Sequence, residues 1–397
     1  MNLAGVELKG KKINKIKVAL VHDYLVEYGG AERVLECFSQ IFPDAPIYTL
    51  IYDKKLANRI LPGKTIRGSF LQKIPFSKSF HRLFPLLMPT AIEDFDLNYY
   101  DLVLSDSASF AKGVITSPST KHICYCHTPT RYVWDDCHKY VREFSYPLSL
   151  RQLIPFGLNY VRIWDRLASL RVDEYIANSK LVADRLKKYY KRESEVINPP
   201  VFIEELLSPQ DQKKRGLYFE KSKFSSQKKG YYLMLGRLMS YKKFDLGIKA
   251  FNKLGLPLKI VGGGPELNHL KKIASPNIEF TGSLPPRDSR VAEYFAGAKA
   301  LIFPQEEDFG IVALESMISG KPVIAYRAGG ALEAVKENFT GLFFDRQNVE
   351  SLIEVVNDFE EKSRKNIFEA EKIHQFALGF RKEIFMQKIV DFLEARI

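Results

Sequence analysis

The chain has 397 residues, a length that predicts two or three domains. Hydrophobic residues make up 46% of it and charged residues 27%, as in soluble globular proteins, which excludes the disordered and collagen-like classes. Lys and Arg outnumber Asp and Glu by 59 to 47, and the net charge of +12 suits an anionic partner, which is a nucleotide, a nucleic acid or a membrane surface.

The four cysteines are too few for a disulfide scaffold, and the sequence therefore favours a reduced, cytoplasmic setting. The residues before the first predicted strand contain no apolar run of the kind that a signal peptide requires. No stretch of about 18 apolar residues follows, so any contact with a membrane is expected to be peripheral, at its inner face.

The first half of the chain has the pattern of an α/β domain. An apolar run over 16–21 predicts a strand, Gly29 and Gly30 predict a turn, and the pattern over 31–42 predicts a helix. Strands that alternate with helices predict a parallel sheet covered on both faces. The further elements are strands at 46–51, 102–105, 122–126 and 174–177 and a helix at 179–190.

The second half repeats this pattern after a linker region predicted over 201–229, where the stretch 208–230 is polar and lysine-rich. Strands are predicted at 231–235, 258–261, 278–280, 300–303 and 322–325, with helices at 244–253 and 380–397. The expected organisation is therefore an N-terminal Rossmann-like domain over 1–200, a second one over 230–375 and a C-terminal helix over 376–397. Ligands of such domains bind at the carboxyl ends of the strands, so the cleft between the domains is the expected active site.

The stretch FPQEEDFGIVALE, residues 303–315, is the most informative in the chain. Glu315 is the only charge on a predicted apolar helix, and a buried carboxylate is costly without partners. Two ribose hydroxyls would satisfy it, and the alternative is a structural ion pair with an Arg or Lys. The helix start at Phe309, Gly310 and Ile311 offers backbone N–H groups to an anion, and Glu307 lies in the loop before it.

A second candidate group consists of Arg237, Lys242 and Lys243, which follow the predicted strand 231–235. Cations at the carboxyl end of a strand suit a diphosphate, whose negative charge grows as a sugar departs. The spacing from Arg237 favours Lys242 over Lys243. The alternative is a solvated helix start, because most charge clusters are solvated.

Glycines and one histidine also lie at predicted strand ends. Gly29 and Gly30 allow a ligand to approach the backbone closely, or they form a simple tight turn. The glycines around Gly263 match the dinucleotide fingerprint only in part, since Leu267 occupies its last glycine position, which weakens a dehydrogenase interpretation. His127 follows the predicted strand 122–126, although a lone histidine is more often structural.

The cysteines and histidines between residues 122 and 138 do not predict a metal site. Their C-x-C spacing does not match that of common zinc sites, and cysteines on strands are usually buried hydrophobic residues. The residues concerned are His122, Cys124, Cys126, His127, Cys137 and His138.

Taken together, these motifs resemble glycosyltransferase family 4 (group 1), the retaining enzymes of the GT-B fold. Glu307 and Glu315, with seven residues between them that include Phe309 and Gly310, resemble the family's signature. The stretch GKPVIAYRAGGALEAV over 320–335 is similar as well, and the loop HTPTRYVWD over 127–135 resembles that of bacterial O-antigen-type mannosyltransferases. The resemblance implies two doubly wound Rossmann-like domains facing a central cleft, with the C-terminal helix crossing back to the first domain.

The resemblance also implies roles for the candidate residues. Glu315 binds the donor ribose and Glu307 contacts the donor sugar, while Arg237 and Lys242 hold the diphosphate in place of a metal, so no cofactor is expected. His127 lies near the reacting sugar, through its ring or its backbone carbonyl. Contacts with the donor are further implied for Gly29, Gly30, Lys243, Gly263, Phe309, Gly310 and Ile311, and an acceptor-side role for Arg131, Trp134 and Asp135.

By this resemblance the donor is a nucleotide sugar, GDP-mannose, and the acceptor a glycan or lipid-linked glycan of surface polysaccharide assembly. The implied mechanism is front-face attack through a short-lived oxocarbenium ion pair. The alternatives are a nucleotide-sugar epimerase of the same fold and a basic nucleic-acid-binding protein; the glycosyltransferase interpretation leaves no role for nucleic acid. The segment 67–88, with Lys73, Lys78 and Arg82 among Phe and Leu, predicts either docking on an anionic membrane or a core-packed helix pair.

Overall fold

The protein, seen in a computed structural model, is described over residues 16–75, 85–137, 148–203 and 230–397, with two short paired strands, β1 (Asn2–Leu3) and β2 (Val6–Glu7), before them. Most of the predicted linker (204–229) and the middle of the segment 67–88, including Lys78 and Arg82, lie outside these residues, as does His138. The chain divides into two compact units, a first unit of Met1–Pro199 with Glu383–Ile397 and a second unit of Pro200–Lys382.

The first unit is built on a seven-stranded parallel sheet of order β5-β4-β3-β6-β7-β8-β9. The order reverses between β3 and β6: the strands that follow β3 are added on one side of it, and those that follow β6 on the other. The strands are β3 (Val18–Leu25), β4 (Ile47–Tyr52), β5 (Ile66–Gly68), β6 (Leu102–Ser107), β7 (Lys121–Cys126), β8 (Glu174–Ala177) and β9 (Glu195–Val196). Its helices are α1 (Gly30–Ile41), α2 (Lys54–Ile60), α3 (Met88–Glu93), α4 (Leu148–Ala168) and α5 (Lys180–Arg185).

The second unit repeats this order in a six-stranded sheet, β12-β11-β10-β13-β14-β15, and reverses between β10 and β13. All of its strand pairs are parallel, which confirms the α/β fold predicted from the alternating pattern. The strands are β10 (Tyr231–Leu235), β11 (Leu258–Val261), β12 (Ile278–Gly282), β13 (Ala298–Phe303), β14 (Val323–Tyr326) and β15 (Gly341–Phe344). The helices are α6 (Phe244–Leu254), α7 (Leu267–Ile273), α8 (Arg290–Gly297), α9 (Ile311–Ile318), α10 (Ala331–Ala334), α11 (Val349–Arg364) and α12 (Ala370–Ala377).

The last helix, α13 (Lys382–Glu394), packs with the first unit. The ring of Phe385 stacks on that of Phe38 with centroids 6.1 Å apart and meets the edge of Tyr125 at 5.7 Å. The return of the C-terminal helix to the first domain is therefore confirmed. The helix begins at Lys382 rather than in the predicted region 376–380, because α12 and a 3-10 turn at Leu378–Phe380 precede it and stay with the second unit.

Truncating Phe385 tests how far α13 stabilises the first unit. Phe385→Ala removes a buried ring that contacts Phe38 and Tyr125, and we expect it to lower the free energy of unfolding of this unit by roughly 3–5 kcal/mol. Lys388→Ala, an exposed change on the same helix, is the control and should shift it by less than about 0.5 kcal/mol. Urea unfolding followed by tyrosine and tryptophan fluorescence measures both; equal midpoints would mean that α13 adds nothing to the first unit.

Candidate active site

Two loops of the second unit are hydrogen-bonded to each other at the carboxyl ends of β10 and β11. The backbone N–H of Gly236 donates to Val261 at 3.0 Å, and that of Leu238 donates to Gly263 at 2.9 Å. A Cβ on Gly262 would lie 1.9 Å from the carbonyl oxygen of Gly236, so only glycine permits this approach. The contact fixes the backbone on either side of Arg237, which is half-buried at this edge of the sheet.

The loop after β13 is held by a second pair of glycines. The N–H of Gly330 donates to the carbonyl of Glu307 at 2.9 Å, and a Cβ on Gly330 would lie 2.2 Å from Cα of Phe309. Gly310 has φ of 88°, in the left-handed region, and forms the N-cap of α9. The helix therefore begins at Ile311, with Phe309 buried beneath its amino end.

Lys242 and Glu307 meet across the point where the strand order reverses. Lys242 follows β10 and Glu307 follows the neighbouring β13, and Lys242 Nζ contacts Glu307 Oε1. The amide of Gln305 donates to the same carboxylate oxygen at 3.0 Å. Both partners of the pair are mostly buried, at 14% and 16% exposure, so water screens their attraction less than that of a surface pair.

The structure separates the two candidate lysines. Lys243 has φ of 54° and forms the N-cap of α6, whereas the side chain of Lys242 reaches Glu307. Gln305 was not predicted from the sequence; the signal for it is its position two residues after the predicted strand 300–303, at the start of the acidic loop. Gly263 occupies the β11 loop, with Ser283 close to where a Cβ would point.

Glu315 lies in the middle of α9 and is 4% exposed, in agreement with the burial expected from its apolar neighbours. The residues on both sides of it, from Ala313 to Ile318, are buried as well. Its carboxylate is therefore held within the unit, one helical turn below the free N–H groups at Ile311.

The first unit carries a polar cluster at its own reversal point that the sequence did not predict. His22 of β3 and Asp106 of β6 are register partners, and His22 Nδ1 lies 2.9 Å from Asp106 Oδ2. The other oxygen of Asp106 contacts Nε2 of His127. Glu32 approaches the far side of His22 at 3.6 Å, an ion-pair rather than a hydrogen-bond distance. We call these four residues the His–Asp cluster.

The charges of the His–Asp cluster support one another. Burial on its own lowers the pKa of His22, but the hydrogen bond to Asp106 and the charges of Asp106 and Glu32 raise it well above the ordinary value. Burial on its own raises the pKa of Asp106, but the charges and hydrogen bonds of His127 and His22 lower it below the ordinary value. Asp106 is thus a buried carboxylate stabilised by imidazoles on both sides.

Both the ring and the backbone of His127 are fixed by neighbours. Nε2 contacts Asp106, and the carbonyl accepts a hydrogen bond from Asn178 Nδ2 at 2.9 Å. The backbone N–H donates to Ser107 at 2.9 Å. With Nε2 engaged and the side chain 12% exposed, Nδ1 is the ring atom with which His127 can meet a ligand.

The loops around the cluster are anchored by a buried aspartate and a helix start. Asp23 accepts hydrogen bonds from the backbone N–H groups of Ala108, Phe110 and Ala111 at 2.6–2.7 Å. Glu32 accepts one from Gly29 at 2.7 Å and so caps α1, which begins at Gly30. The Gly29 turn and the cluster therefore share Glu32.

The three residues expected on the acceptor side contact their own surroundings. Trp134 stacks on Tyr189 at 4.8 Å and donates to Asp165 at 2.8 Å. Asp135 pairs with Arg185 at 2.6 Å, and Arg131 pairs with Asp136 at 3.2 Å. These contacts hold the loop that follows His127 in place; a role for them toward an acceptor stays a prediction.

Over the described part of the chain, no group of three or more Cys, His, Asp or Glu side chains has the arrangement of a metal site. Cys124 and Cys126 are fully buried on β7, and burial raises the pKa of the Cys124 thiol to about 12. His122 lies in the core, where burial lowers its pKa to about 4. These side chains act as core residues.

Two cavities lie at the amino ends of the strands, opposite the carboxyl ends described above. One of about 670 Å³ is lined by Lys17, Pro46 and Tyr100, which precede strands of the first unit, and one of about 480 Å³ by Gly230, Lys299 and Pro322 in the second. Ligands of open α/β sheets bind outside the carboxyl ends of the strands. The fixed loops at those ends are therefore the better candidates for the site.

The raised pKa of His22 predicts a pH-dependent stability. Between about pH 6.5 and its folded-state pKa, the folded protein keeps a proton that the unfolded chain has released, so stability falls with rising pH, by at most about 1.4 kcal/mol per unit. Below about pH 6.5 the His22 proton makes its full contribution to the free energy of unfolding. His22→Gln should flatten this slope, whereas His122→Gln, at a histidine whose pKa is lowered, should keep it. Urea midpoints from pH 6 to 9 measure it; parallel curves for wild type and His22→Gln would contradict the assignment.

Comparison with known proteins agrees with this geometry. Residues 218–374 match the family model "Glycosyl transferases group 1". A GDP-mannose-dependent mannosyltransferase of phosphatidylinositol monomannoside from Mycobacterium tuberculosis is 35% identical over 142 residues, 31% of this chain and 36% of that protein. An alpha-1,3/1,6-mannosyltransferase of Schizosaccharomyces pombe is 24% identical over 85% of this chain and 72% of its own length. The chain spans about two fifths of the length of the first curated relatives that it matches.

Solved structures share the fold over nearly the whole chain. HepE of Anabaena with UDP-glucose has a TM-score of 0.66 at 19% identity and covers 96% of this chain and 100% of its own. WaaG, a glycosyltransferase of lipopolysaccharide biosynthesis, has a TM-score of 0.63 at 16% identity over 94% and 99%. Residues 218–374 thus match the group 1 glycosyltransferase family model, and the chain as a whole shares the GT-B fold of these neighbours.

Proposed function

We propose that the protein is a retaining glycosyltransferase that transfers mannose from GDP-mannose to a glycan acceptor carried on a lipid, in surface polysaccharide assembly. The observation that carries the proposal is the contact of Lys242 with Glu307 beside the amino end of α9. It brings a cation, a carboxylate and free helix N–H groups to one strand edge, the set that a nucleoside diphosphate sugar requires. The mannose donor is supported by the similarity of the chain to mannosyltransferases.

In this proposal the donor changes the partner of Lys242. The diphosphate binds the ammonium group of Lys242 and the guanidinium group of Arg237. The Glu307 carboxylate is then released to accept a hydrogen bond from a sugar hydroxyl. Glu315 accepts hydrogen bonds from the ribose hydroxyls, and the backbone N–H groups of Gly310 and Ile311 face the phosphates. Charge that develops on the departing diphosphate is neutralised by the two side chains, so the reaction needs no metal.

The bond from the sugar C1 to the diphosphate oxygen breaks, and the acceptor hydroxyl attacks C1 on the same face, which retains the configuration. The proton of that hydroxyl passes to the departing phosphate oxygen. The intermediate is a short-lived ion pair of oxocarbenium and diphosphate. We assign His127 to the reacting sugar through Nδ1, because Asp106 engages its Nε2. In this assignment Asp106 and His22 are positioning residues that fix the imidazole ring.

The two rival functions have less support. The family match and the mannosyltransferase relatives do not favour a nucleotide-sugar epimerase. A nucleic-acid-binding protein would need aromatic residues among its basic ones, and the candidate stretch is KKRGLYFEKSKF, residues 213–224. It lies outside the residues that the structure describes. Product analysis without acceptor separates the first rival, since only an epimerase converts the donor alone.

For the setting, we propose a cytoplasmic enzyme at the inner face of the membrane. Within the residues that the structure describes, none of the helices combines the length and the hydrophobicity that a membrane crossing demands. The segment 67–88 was expected to dock there. At its described ends, Leu71 and Met88 are buried in the core, while Phe70, Leu86 and Leu87 are exposed.

A thermal-shift screen of nucleotide sugars tests the donor assignment. GDP-mannose should raise the melting temperature more than UDP-sugars do, and Glu315→Gln should weaken its binding by roughly tenfold or more, because the ribose loses a charged acceptor. Glu306→Gln, an exposed change in the loop before α9, is the control and should bind the donor like wild type. Unchanged affinity with a large loss of stability in Glu315→Gln would show instead that Glu315 is a structural residue.

The lysine pair tests the diphosphate assignment. Lys242→Ala should lower kcat by roughly 10²–10³, since it removes a charge that matters most as the diphosphate departs. Lys243→Gln, at the helix N-cap next to it, should retain most of the activity. Mannosyl transfer measured in EDTA should persist; equal losses in the two variants, or strict dependence on a divalent metal, would contradict the assignment.

A further inference from the structure

Helix α4 of the first unit presents an apolar face to solvent. Phe156, Tyr160, Ile163 and Leu167 follow one another at helical spacing, and Leu170 continues the row beyond the helix end. They are 75%, 51%, 55%, 59% and 54% exposed, and we call them the apolar stripe. At a rise of 1.5 Å per residue the stripe is about 20 Å long. The exposed face of a helix in a soluble domain is normally polar.

The orientation of α4 is fixed by its opposite face. Leu158, Val161 and Ala168 are buried in the core. Asp165, fully buried, pairs with Lys112 at 2.6 Å and accepts hydrogen bonds from Trp134 and Tyr190 at 2.8 and 2.6 Å. Turning the stripe inward would expose this core and leave a buried ion pair without partners. The stripe is therefore a property of the folded unit.

The stripe continues onto a neighbouring segment. A Cβ on Gly157 would lie 3.5 Å from Cδ2 of Leu86, which is 50% exposed, and the adjacent Leu87 is 45% exposed. Among the described residues, thirteen large apolar side chains are exposed, and these two together with the stripe account for seven of them. Such clustering marks an interaction surface rather than scattered surface hydrophobicity.

The chain segment that carries Leu86 and Leu87 is basic in sequence. The segment that contains Leu86 and Leu87 belongs to a run, residues 54–92, with eight Lys and Arg and no Asp or Glu. On α4 itself, Arg162 and Arg166 are half-buried, and their side chains donate to the backbone carbonyls of Val133 and Tyr190. Of the acids after this run, Glu93 pairs with Arg171 at 2.7 Å, whereas Asp94 and Asp96 are exposed; on α4, Asp165 pairs with Lys112.

The apolar stripe and the basic segment together indicate which kind of partner binds this face. Two copies joined through this face would bring two acid-free basic segments together, and like charges across an interface are unfavourable. An anionic lipid bilayer takes the apolar side chains into its acyl boundary, places an aromatic residue such as Tyr160 at the headgroups and attracts the cations around them. We propose that the apolar stripe, with Leu86 and Leu87, is the surface through which the first unit docks on an anionic membrane. This surface differs from the segment 67–88 in that α4 supplies most of its apolar contact.

Co-sedimentation with vesicles tests this docking surface without any donor or acceptor, so its outcome is independent of the proposed sugar transfer. The full chain is mixed with vesicles of phosphatidylcholine alone or with phosphatidylglycerol. The test variant is Tyr160→Ser/Ile163→Ser. The matched control is Tyr99→Ser/Ile115→Ser, which removes one exposed Tyr and one exposed Ile from the first unit outside the stripe.

We expect wild type and the control to bind the anionic vesicles, more weakly at high salt, and the stripe variant to bind at least about tenfold less tightly. The stripe variant should keep the wild-type melting temperature, because the exchanged side chains are exposed. The proposal is overturned if wild type binds no vesicles, or if the stripe variant binds like the control. It is equally overturned if the wild-type mass doubles with concentration and the stripe variant stays monomeric, since the face then joins two copies.

Discussion

The interaction on which the rest depends is a charged pair that bridges the two strands where the order of each sheet reverses. In the first unit it joins His22 of β3 to Asp106 of β6; in the second it joins Lys242, after β10, to Glu307, after β13. The chain leaves two such neighbours toward opposite faces of the sheet, so a crevice opens between their loops. Polar side chains at the two strand ends are brought together there, and the same topology has produced a comparable pair twice in one chain.

Charges in these crevices need a rigid frame, because a partly buried ion pair is stable only when its geometry and its remaining hydrogen bonds are satisfied. The frame consists mainly of backbone. In the second unit, glycines let the loop after β11 approach the loop after β10, and the loop after β14 approach the loop after β13, within distances that a Cβ would block. In the first, Asp23 gathers three backbone N–H groups of the loop after β6, and Asn178 holds the carbonyl of His127. The fold therefore fixes both charged pairs before any ligand binds, which is the condition that the proposed electrostatic catalysis requires.

The fold was predictable because apolar runs and glycine turns mark it locally: the strands Tyr231–Leu235 and Leu258–Val261 begin and end where the sequence indicates. The His–Asp cluster was not, because the first strand was ended at its first polar residue, whereas β3 continues through His22 and Asp23 to Leu25. Their burial depends on partners 84 to 88 residues away, which no local pattern reveals. Likewise, spacing alone favoured Lys242 over Lys243, but the contact with Glu307 depends on the neighbouring strand.

The pairing of Lys242 with Glu307 also bears on what the second unit can recognise under the proposed function. A ligand gains from Lys242 only if it offers the ammonium group more than the carboxylate already does. A neutral sugar offers no charge and would have to compete with an ion pair that is mostly shielded from water. A diphosphate brings more than one negative charge, and it contacts the helix N–H groups of α9 and Arg237 at the same time. Under the proposed function the pair therefore favours the activated donor over the free sugar, because only the donor carries a diphosphate that can replace Glu307 at Lys242.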